Sequence, residues 1–338
     1  MHTNNPVFQL HDVSIGYKEG KSKCKIVYQN LNFSLHLGEL TSLLGANGIG
    51  KSTLLKTITQ GLSPLSGHIT LKNTDLSTHS KKDLSKLISV VLTDKIFAGG
   101  LRVSELVSMG RYPYTGFWGR LSSLDRAIID WSMQATGIDS KKDCFVAELS
   151  DGEKQKAMIS KALAQQTPII ILDEPTSFLD IISRLEIMSL LQELAHKENK
   201  AILLSTHDIE QAIAYSDKLW LLQKNGEHQS GSPEDLLLQK GFEHLFDHKR
   251  ILFDRVNAKY HHHQKESFIP VELINESDLS PFWIKNYLTR YGYKKSVQDP
   301  CTLSIVIQKD YSIFLTNGAK KIHFASFETL SSWFKSNH

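Results

Sequence analysis

Short apolar runs alternate with amphipathic stretches through the first 250 residues of the chain. The apolar runs are typical of short strands that are covered on both faces. The predicted strands lie at 40–44, 169–172 and 201–205, and helical patterns follow them at 51–58, 179–196 and 209–215. Strands that alternate with helices indicate a parallel sheet with helices on both sides. We therefore predict an α/β fold for this part of the chain.

Two further patterns divide the sequence into domains. Residues 7–37 have the spacing of half-buried strands, and a mostly helical insert at about 94–165 indicates a small helical subdomain. The sequence becomes polar after residue 250, and strand, helix, strand, hairpin and helix patterns follow from residue 266. We predict a first domain over 1–250, a linker over 251–265 and a small α+β domain over 266–338.

Length and charge agree with a two-domain protein and bear on which classes of partner it could bind. A length of 338 residues fits two domains at about 150 residues each. Lys and Arg number 39 against 36 for Asp and Glu, so the formal net charge is only +3. This balance excludes a polybasic tail and an acidic disordered chain, and it provides no broad basic surface for nucleic acid. We therefore expect no nucleic-acid partner.

Membrane and secretion signals are not found in the sequence. No apolar run reaches the roughly 18 residues that a membrane span requires. Residues 1–6 lack the basic and apolar segments of a secretory signal. Cys24, Cys144 and Cys301 are far apart and form no CxxC pair. These features predict a water-soluble protein of the reducing cytosol.

The most informative segment is residues 45–52, which read G-A-N-G-I-G-K-S and fit the phosphate-loop pattern G-x-x-x-x-G-K-[ST]. Glycines allow the backbone to wrap tightly, so that its N–H groups point at phosphate oxygens, and the helix that follows adds its positive end. Lys51 supplies a charge to the β- and γ-phosphates, and Ser52 offers a hydroxyl to Mg²⁺. The segment therefore predicts a phosphate-binding loop.

A pair of acids complements this loop. Asp173 and Glu174 follow directly after the predicted strand 169–172. The carboxyl end of a buried parallel strand is where ligands bind in open α/β sheets. Asp173 is therefore the candidate for holding Mg²⁺ through water, and Glu174 is the candidate general base for an attacking water.

Further segments resemble the motifs of ABC-type ATPases. These are the signature L-S-D-G-E-K-Q at 149–155, the D-loop S-F-L-D at 177–180, the switch-histidine segment S-T-H-D at 205–208, and the aromatic Tyr17 upstream of the phosphate loop. The resemblance covers residues 7–250. It implies a P-loop ATPase with a RecA-like core, an antiparallel β subdomain and a helical subdomain, to which the C-terminal α+β domain is appended.

The resemblance also implies an ATPase that uses ATP and Mg²⁺ as a head-to-tail homodimer, with each ATP held between the phosphate loop of one copy and the signature of the other. The implied catalytic residues are Lys51, Glu174 and His207. The implied nucleotide contacts are Tyr17, Gly45, Asn47, Gly48, Gly50, Lys51, Ser52, Thr53, Ser150, Gly152 and Asp180. The implied metal contacts are Ser52, Asp173 and Thr93.

One segment resembles a particular branch of the family. Residues 105–113, E-L-V-S-M-G-R-Y-P, are most similar to the ATPase subunits of iron-siderophore, haem and cobalamin importers. This resemblance implies a peripheral protein at the cytoplasmic face of the cell membrane, with integral-membrane permease subunits and, indirectly, a substrate-binding protein as partners. It leaves the cargo open.

Three alternatives stay open from the sequence. The same motifs serve ABC ATPases that power export, and ABC switches that act on nucleic acid or protein assembly. A switch of that kind is expected to have two fused cassettes or long coiled-coil insertions, and the sequence has neither. A regulator that binds ATP without hydrolysis is disfavoured by the intact Glu174 and His207.

The signature departs from the family pattern at its first glycine, which is Asp151 here. Ser150 and Glu153 fit a capping box, S-x-x-E, at the start of a helix. An acid suits this helix start but repels a triphosphate, by about 1 kcal/mol at roughly 8 Å and an effective dielectric of about 40. We expect a modest weakening of dimer closure, since Gly152 is kept.

A second departure is Thr93, which aligns with the Q-loop glutamine. That glutamine reaches toward Mg²⁺ and water, and threonine is shorter. Either Asp94 takes the place of the glutamine, or a water molecule bridges the distance that threonine leaves, or the coupling between the core and the helical subdomain differs. We expect hydrolysis to survive this change.

Two features have no assigned role. His244, His248 and residues 261–263 form a histidine-rich stretch that suits either a metal sensor or a solvated polar segment. The C-terminal domain has no catalytic pattern, and a regulatory or oligomerisation role is the simplest expectation.

Overall fold

The computed structural model describes residues 5–19, 23–92, 100–116, 119–245, 251–255, 258–262, 268–296, 301 and 303–336. The chain divides into two units, Met1–His262 (unit 1) and His263–His338 (unit 2). Within the ranges described, no helix has the length and apolar character needed to cross a membrane.

The strands of unit 1 form two sheets and a hairpin. In chain order they are β1 (Phe8–Glu19), β2 (Lys23–Leu31), β3 (Ser34–Leu35), β4 (Leu40–Gly45), β5 (Ser66–Leu71), β6 (Thr74–Asp75), β7 (Ile88–Val91), β8 (Ile169–Asp173), β9 (Ala201–Thr206), β10 (Lys218–Leu222), β11 (His228–Gly231), β12 (Ile251–Asp254) and β13 (Lys259–His262).

The helices of unit 1 include both long and single-turn segments. They are α1 (Lys51–Ile58), α2 (Lys81–Leu84), α3 (Val103–Ser108), α4 (Ser123–Ala135), α5 (Asp151–Ala164), α6 (Ile181–Lys197), α7 (Ile209–Tyr215) and α8 (Pro233–Leu238). Short 3₁₀ turns lie at Leu76–Thr78, Met109–Arg111, Asp139–Lys141 and Val146–Glu148.

The central sheet has the strand order β11-β10-β4-β9-β8-β7. All its neighbours pair in parallel except β10 with β11, which form an antiparallel hairpin. Every residue of β4 and β9 is buried, as expected for strands with helices on both faces. Their carboxyl ends therefore meet at one edge, where the phosphate loop begins.

A second sheet is antiparallel and has the order β2-β1-β5-β6, with β3 also paired to β1. Its apolar side shares one core with the central sheet, in which Phe33 stacks on the fully buried Trp220 at a ring separation of 4.5 Å. The two sheets thus match the predicted core and antiparallel β subdomain.

Helices α3, α4 and α5 form the predicted helical subdomain, and Arg111 is its polar centre. Arg111 is only 3% exposed, and its Nε donates to Asp125 Oδ1 at 2.8 Å. Its Nη1 donates to the carbonyl of Ala164 at 2.7 Å, so that one side chain joins α4 to the end of α5. Hydrogen bonds from Ser122, followed by the one from Arg111, lower the pKa of Asp125 to about 2.

The predicted linker 251–265 is wrong for its first part, because β12 and β13 pair there as an antiparallel hairpin. The aromatic residues explain the difference. Phe253 stacks on the buried Phe242 at 5.0 Å, Tyr260 lies 4.8 Å from Phe253, and the Tyr260 hydroxyl donates to the Phe242 carbonyl. These contacts attach an otherwise polar segment to unit 1.

Unit 2 contains β14 (Ile269–Asn275), α9 (Pro281–Arg290), β15 (Tyr293–Lys295), β16 (Leu303–Ile307), β17 (Ile313–Asn317), β18 (Lys320–Phe324) and α10 (Phe327–Ser336). Its sheet has the order β15-β14-β16-β17-β18. Tyr287 of α9 contacts Phe327 and Phe334 of α10. This small α+β unit has its own apolar core, and the predicted fold class is confirmed for both units.

Candidate functional site

The phosphate loop connects β4 to α1, and its backbone requires glycine. Gly48 and Gly50 have φ angles of +76° and +121°, which side chains rarely tolerate. A Cβ atom at Gly50 would lie 2.4 Å from Val27 Cγ1. Gly45 is buried at the end of β4, whereas Asn47 and Gly48 are exposed. The loop is therefore wrapped tightly, with its tip open to a ligand.

Lys51 lies at the first position of α1 and is only 6% exposed. Its Nζ donates to the Gly45 carbonyl at 2.8 Å and to the Ala46 carbonyl at 3.4 Å. Burial lowers the pKa of this ammonium, and the nearby carboxylates of Glu174 and Asp173 oppose that shift. The two carboxylates thus offset part of the effect that burial has on this lysine.

The next two residues of α1 differ in their surroundings. Ser52 is exposed at the loop, and Thr53 is buried. The Thr53 hydroxyl lies 3.0 Å from the hydroxyl of Tyr17, which is on β1 and has an exposed ring. This hydrogen bond attaches the end of the Tyr17 side chain to the phosphate-loop helix.

Asp173 and Glu174 are connected through Ser205, a residue that sequence reasoning did not single out. Asp173 lies opposite Ser205 in the parallel pairing of β8 with β9. The Ser205 hydroxyl donates to Asp173 Oδ1 at 2.6 Å and accepts from the Glu174 backbone N–H at 2.9 Å. Because Ser205 is fully buried, this one hydroxyl fixes the turn at which both acids leave the strand.

The Glu174 side chain has two further neighbours. Its Oε2 accepts from the Ser177 hydroxyl at 2.8 Å and lies 3.7 Å from His207 Nδ1. The backbone of Glu174 has a φ of +44°, in the left-handed region that is strained for a residue with a side chain. Ser177 is a second contact that the sequence alone did not reveal, since only the folded turn places its hydroxyl at the carboxylate.

The signature residues belong to a second group, at the starts of α5 and α6. Ser150 caps α5 with the predicted capping box, in which its Oγ accepts from Glu153 N–H at 3.3 Å and its own N–H donates to Glu153 Oε2 at 2.9 Å. Gly152 is buried, and a Cβ atom there would lie 2.8 Å from Ser183 Oγ. Asp180 caps α6 and accepts from both the N–H and the hydroxyl of Ser183.

Asp151 is mostly exposed and has a cationic partner. Its Oδ1 lies 3.3 Å from Lys154 Nζ, three residues further along α5. Exposed pairs of this kind contribute little to stability, but the ammonium offsets the negative charge that the departure at Asp151 introduces.

Thr93 lies outside the described residues, as do His248 and His263. In the part of the chain that is described, no group of three or more His, Cys, Asp or Glu side chains is arranged to hold a metal ion.

The donor set fits a nucleotide with a divalent cation. A glycine-rich loop and a buried lysine suit phosphate oxygens, and hydroxyl and carboxylate oxygens such as those of Ser52 and Asp173 are the ligands that Mg²⁺ prefers. With the phosphate loop at the carboxyl ends of a parallel sheet, the fold and the site define a P-loop ATPase.

Comparisons with known proteins identify the family. Residues 28–177 match the family model described as ABC transporter. An uncharacterised ABC transporter ATP-binding protein of Methanocaldococcus jannaschii is 37% identical over 250 residues, which cover 74% of this chain and 84% of that protein. The iron(3+)-hydroxamate import ATP-binding protein of Bacillus subtilis is 34% identical, over 67% of this chain and 82% of that protein.

A solved structure shows the same likeness. The dimeric structure of a bacterial ABC transporter cassette has a TM-score of 0.57 and 27% identity, over 67% of this chain and 98% of that chain. The chain belongs to the ABC transporter family of ATP-binding proteins, and it is an ATPase. The resemblance to importer ATPases is confirmed at the level of the family.

Replacing Ser205 tests the connection between the two acids. Ser205→Ala removes the acceptor of the Glu174 N–H and one donor to the Asp173 carboxylate, so we expect ATP hydrolysis to fall about tenfold. The rate of phosphate release measures this effect. The matched control is Ser42→Ala on β4, because Ser42 is equally buried and bonds to Ser216 at 2.6 Å. Equal rates in the two variants would contradict the assigned connection.

Proposed function

We propose that this chain is the ATP-hydrolysing subunit of an importer that takes up an iron chelate, haem or cobalamin through a membrane permease. The main support for hydrolysis is the position of the Glu174 carboxylate. Its Oε2 accepts from the Ser177 hydroxyl at 2.8 Å and lies 3.7 Å from His207 Nδ1. A carboxylate fixed beside a histidine at a phosphate loop suits the activation of water.

In the proposed reaction Glu174 accepts a proton from water as the oxygen of that water bonds to the γ-phosphorus. The bond between that phosphorus and the ADP oxygen breaks in the same displacement. His207 contacts the γ-phosphate and the attacking water, and Lys51 stabilises the charge on the β- and γ-phosphates. The 3.7 Å between Glu174 Oε2 and His207 Nδ1, together with the effect of the Glu174 and Asp173 carboxylates on the pKa of Lys51, supports a shared role.

The remaining site residues bind the nucleotide in this proposal. Tyr17 stacks on adenine, and its hydrogen bond to Thr53 holds the ring beside the phosphate loop. Loop contacts come from Gly45, Asn47, Gly48, Gly50, Ser52 and Thr53. Mg²⁺ would be held by Ser52 and Asp173, with Thr93 at the third position, and it would neutralise charge on the phosphate oxygens.

Two copies of the chain complete each site in this proposal. Ser150 and Gly152 of one copy meet the γ-phosphate bound to the other, and Asp180 lies at the contact between copies. Four large apolar side chains around Asp180 support a protein partner at this surface: Phe178 (85% exposed), Ile181 (74%), Ile182 (71%) and Leu185 (43%). We refer to these four residues as the 178–185 patch.

The importer assignment rests on the relatives and on Arg111. The Bacillus subtilis relative is named for import of iron(3+)-hydroxamate. Arg111 lies within the segment 105–113, and it joins the helices of the subdomain to which a permease would bind. We infer that the chain works at the cytoplasmic face of the membrane, with permease subunits and indirectly with a substrate-binding protein.

Uptake by the assembled transporter tests the proposed function. Glu174→Gln keeps the shape of the side chain but removes the base, so we expect ATP binding to persist and hydrolysis to fall by at least about 100-fold. The chain is purified with its permease, and ATP-dependent uptake is measured with a ferric siderophore, haem and cobalamin. We expect one cargo to be taken up by the wild type and not by the variant. Uptake that is unchanged in the variant would refute the transport role.

A charge in the 178–185 patch tests the homodimer. Ile182→Glu in the Glu174→Gln background is expected to weaken ATP-dependent dimerisation at least tenfold, because a buried unpaired carboxylate is costly. Light scattering with and without ATP measures this. Leu238→Glu on α8 is the control, since Leu238 is similarly exposed but lies on another helix. A dimer that survives Ile182→Glu, or that Leu238→Glu weakens equally, would contradict the proposed interface.

A further inference from the structure

Arg184, the fourth residue of α6, reaches back to the loop that precedes this helix. Its Nε and Nη2 donate to the same carbonyl, that of Leu179, at 3.2 and 3.0 Å. Leu179 is the residue immediately before Asp180, and its side chain is buried. The guanidinium therefore fixes the orientation of the peptide group that joins Leu179 to Asp180.

The same guanidinium also reaches the segment that carries His207. Arg184 Nη1 lies 3.5 Å from Oδ2 of Asp208, the residue directly after His207. The other oxygen of that carboxylate, Oδ1, accepts from the Gln211 N–H at 3.1 Å and caps α7. Asp208 is thus held from both sides, by the start of α7 and by Arg184.

We propose that Arg184 is a positioning residue that couples the 177–180 loop to the His207 segment. In this role Arg184 acts through its neighbours and does not itself contact the reacting atoms. The inference rests on hydrolysis at Glu174 and His207, but it does not depend on which cargo is transported. No sequence motif indicated it, because Arg184 reads as one charged residue on an amphipathic helix.

Geometry explains why an arginine suits this role. A guanidinium is planar and carries five donors in a fixed fork, so it can bond a carbonyl with one edge and a carboxylate with another. The loop it holds contains Phe178, whose φ of +66° is unfavourable for a phenylalanine. The loop therefore depends on outside contacts for this conformation, and Arg184 connects it directly to Asp208.

A double-mutant cycle on the full-length chain tests the coupling. The variants are Arg184→Gln, Asp208→Asn, which keeps an acceptor for the α7 cap, and the two combined. We expect each single change to lower kcat about fivefold to tenfold while KM for ATP stays within about twofold. We expect the double variant to be no slower than the slower single variant, because both changes remove the same contact between Arg184 and Asp208.

The control is another ion pair on the same helix. Glu186 of α6 pairs with Lys156 of α5 at 2.7 Å, so Glu186→Gln removes a comparable contact that does not involve either loop. We expect its kcat to match the wild type. Thermal unfolding of every variant distinguishes a loss of positioning from a loss of folding. If Arg184→Gln does not fold, the kcat of Asp208→Asn is the test.

Two results would overturn the inference. One is a double variant whose loss is the product of the two single losses, and the other is an unchanged kcat in Asp208→Asn. Wild-type protein and Glu174→Gln are assayed alongside. An inactive wild type would refute the hydrolytic function itself, whereas an active wild type with multiplicative losses would refute only the role of Arg184.

Discussion

The pairing of β8 with β9 determines the geometry of the site, because it places Ser205 opposite Asp173 at the ends of two buried strands. From there one hydroxyl bonds to the Asp173 carboxylate and to the Glu174 backbone. A slip of one residue would turn Ser205 to the other face of the sheet and remove both bonds. This contact holds the strained turn at Glu174, and the Ser177 hydroxyl donates to the carboxylate oxygen that lies beside His207.

Local sequence patterns predicted much of this arrangement. The phosphate loop, the acids after a buried strand and the capped start of α5 depend on neighbours in sequence, so spacing alone reveals them. Ser205 and Arg184 act across strands and between loops, and their contacts arise only when the chain folds. The hairpin of β12 and β13 was missed for a related reason, since a ring stack and a hydrogen bond to Phe242 outweigh its polar composition.

Two groups of candidate site residues are held in place by different parts of the fold. The first comprises the phosphate loop and the two acids, and the second comprises Ser150, Gly152 and Asp180. The first is held by β4, β8 and β9, the strands of the central sheet that are buried almost throughout. The second lies at the starts of α5 and α6, where Gly152 packs closely against Ser183. Arg184 extends from α6 toward the His207 segment, which gives the second group a physical connection to the first. Arg184 thus forms a short chain of contacts between the His207 segment and the loop that precedes Asp180.

The most direct test is a crystal structure of Glu174→Gln with ATP and Mn²⁺, located by its anomalous scattering. We expect two ATP molecules between two copies, each bound by the phosphate loop of one copy and by Ser150 and Gly152 of the other. We also expect Mn²⁺ to be bound directly to Ser52 Oγ, with Asp173 next to it. A nucleotide held by a single copy, or a metal bound away from Ser52 and Asp173, would contradict the account.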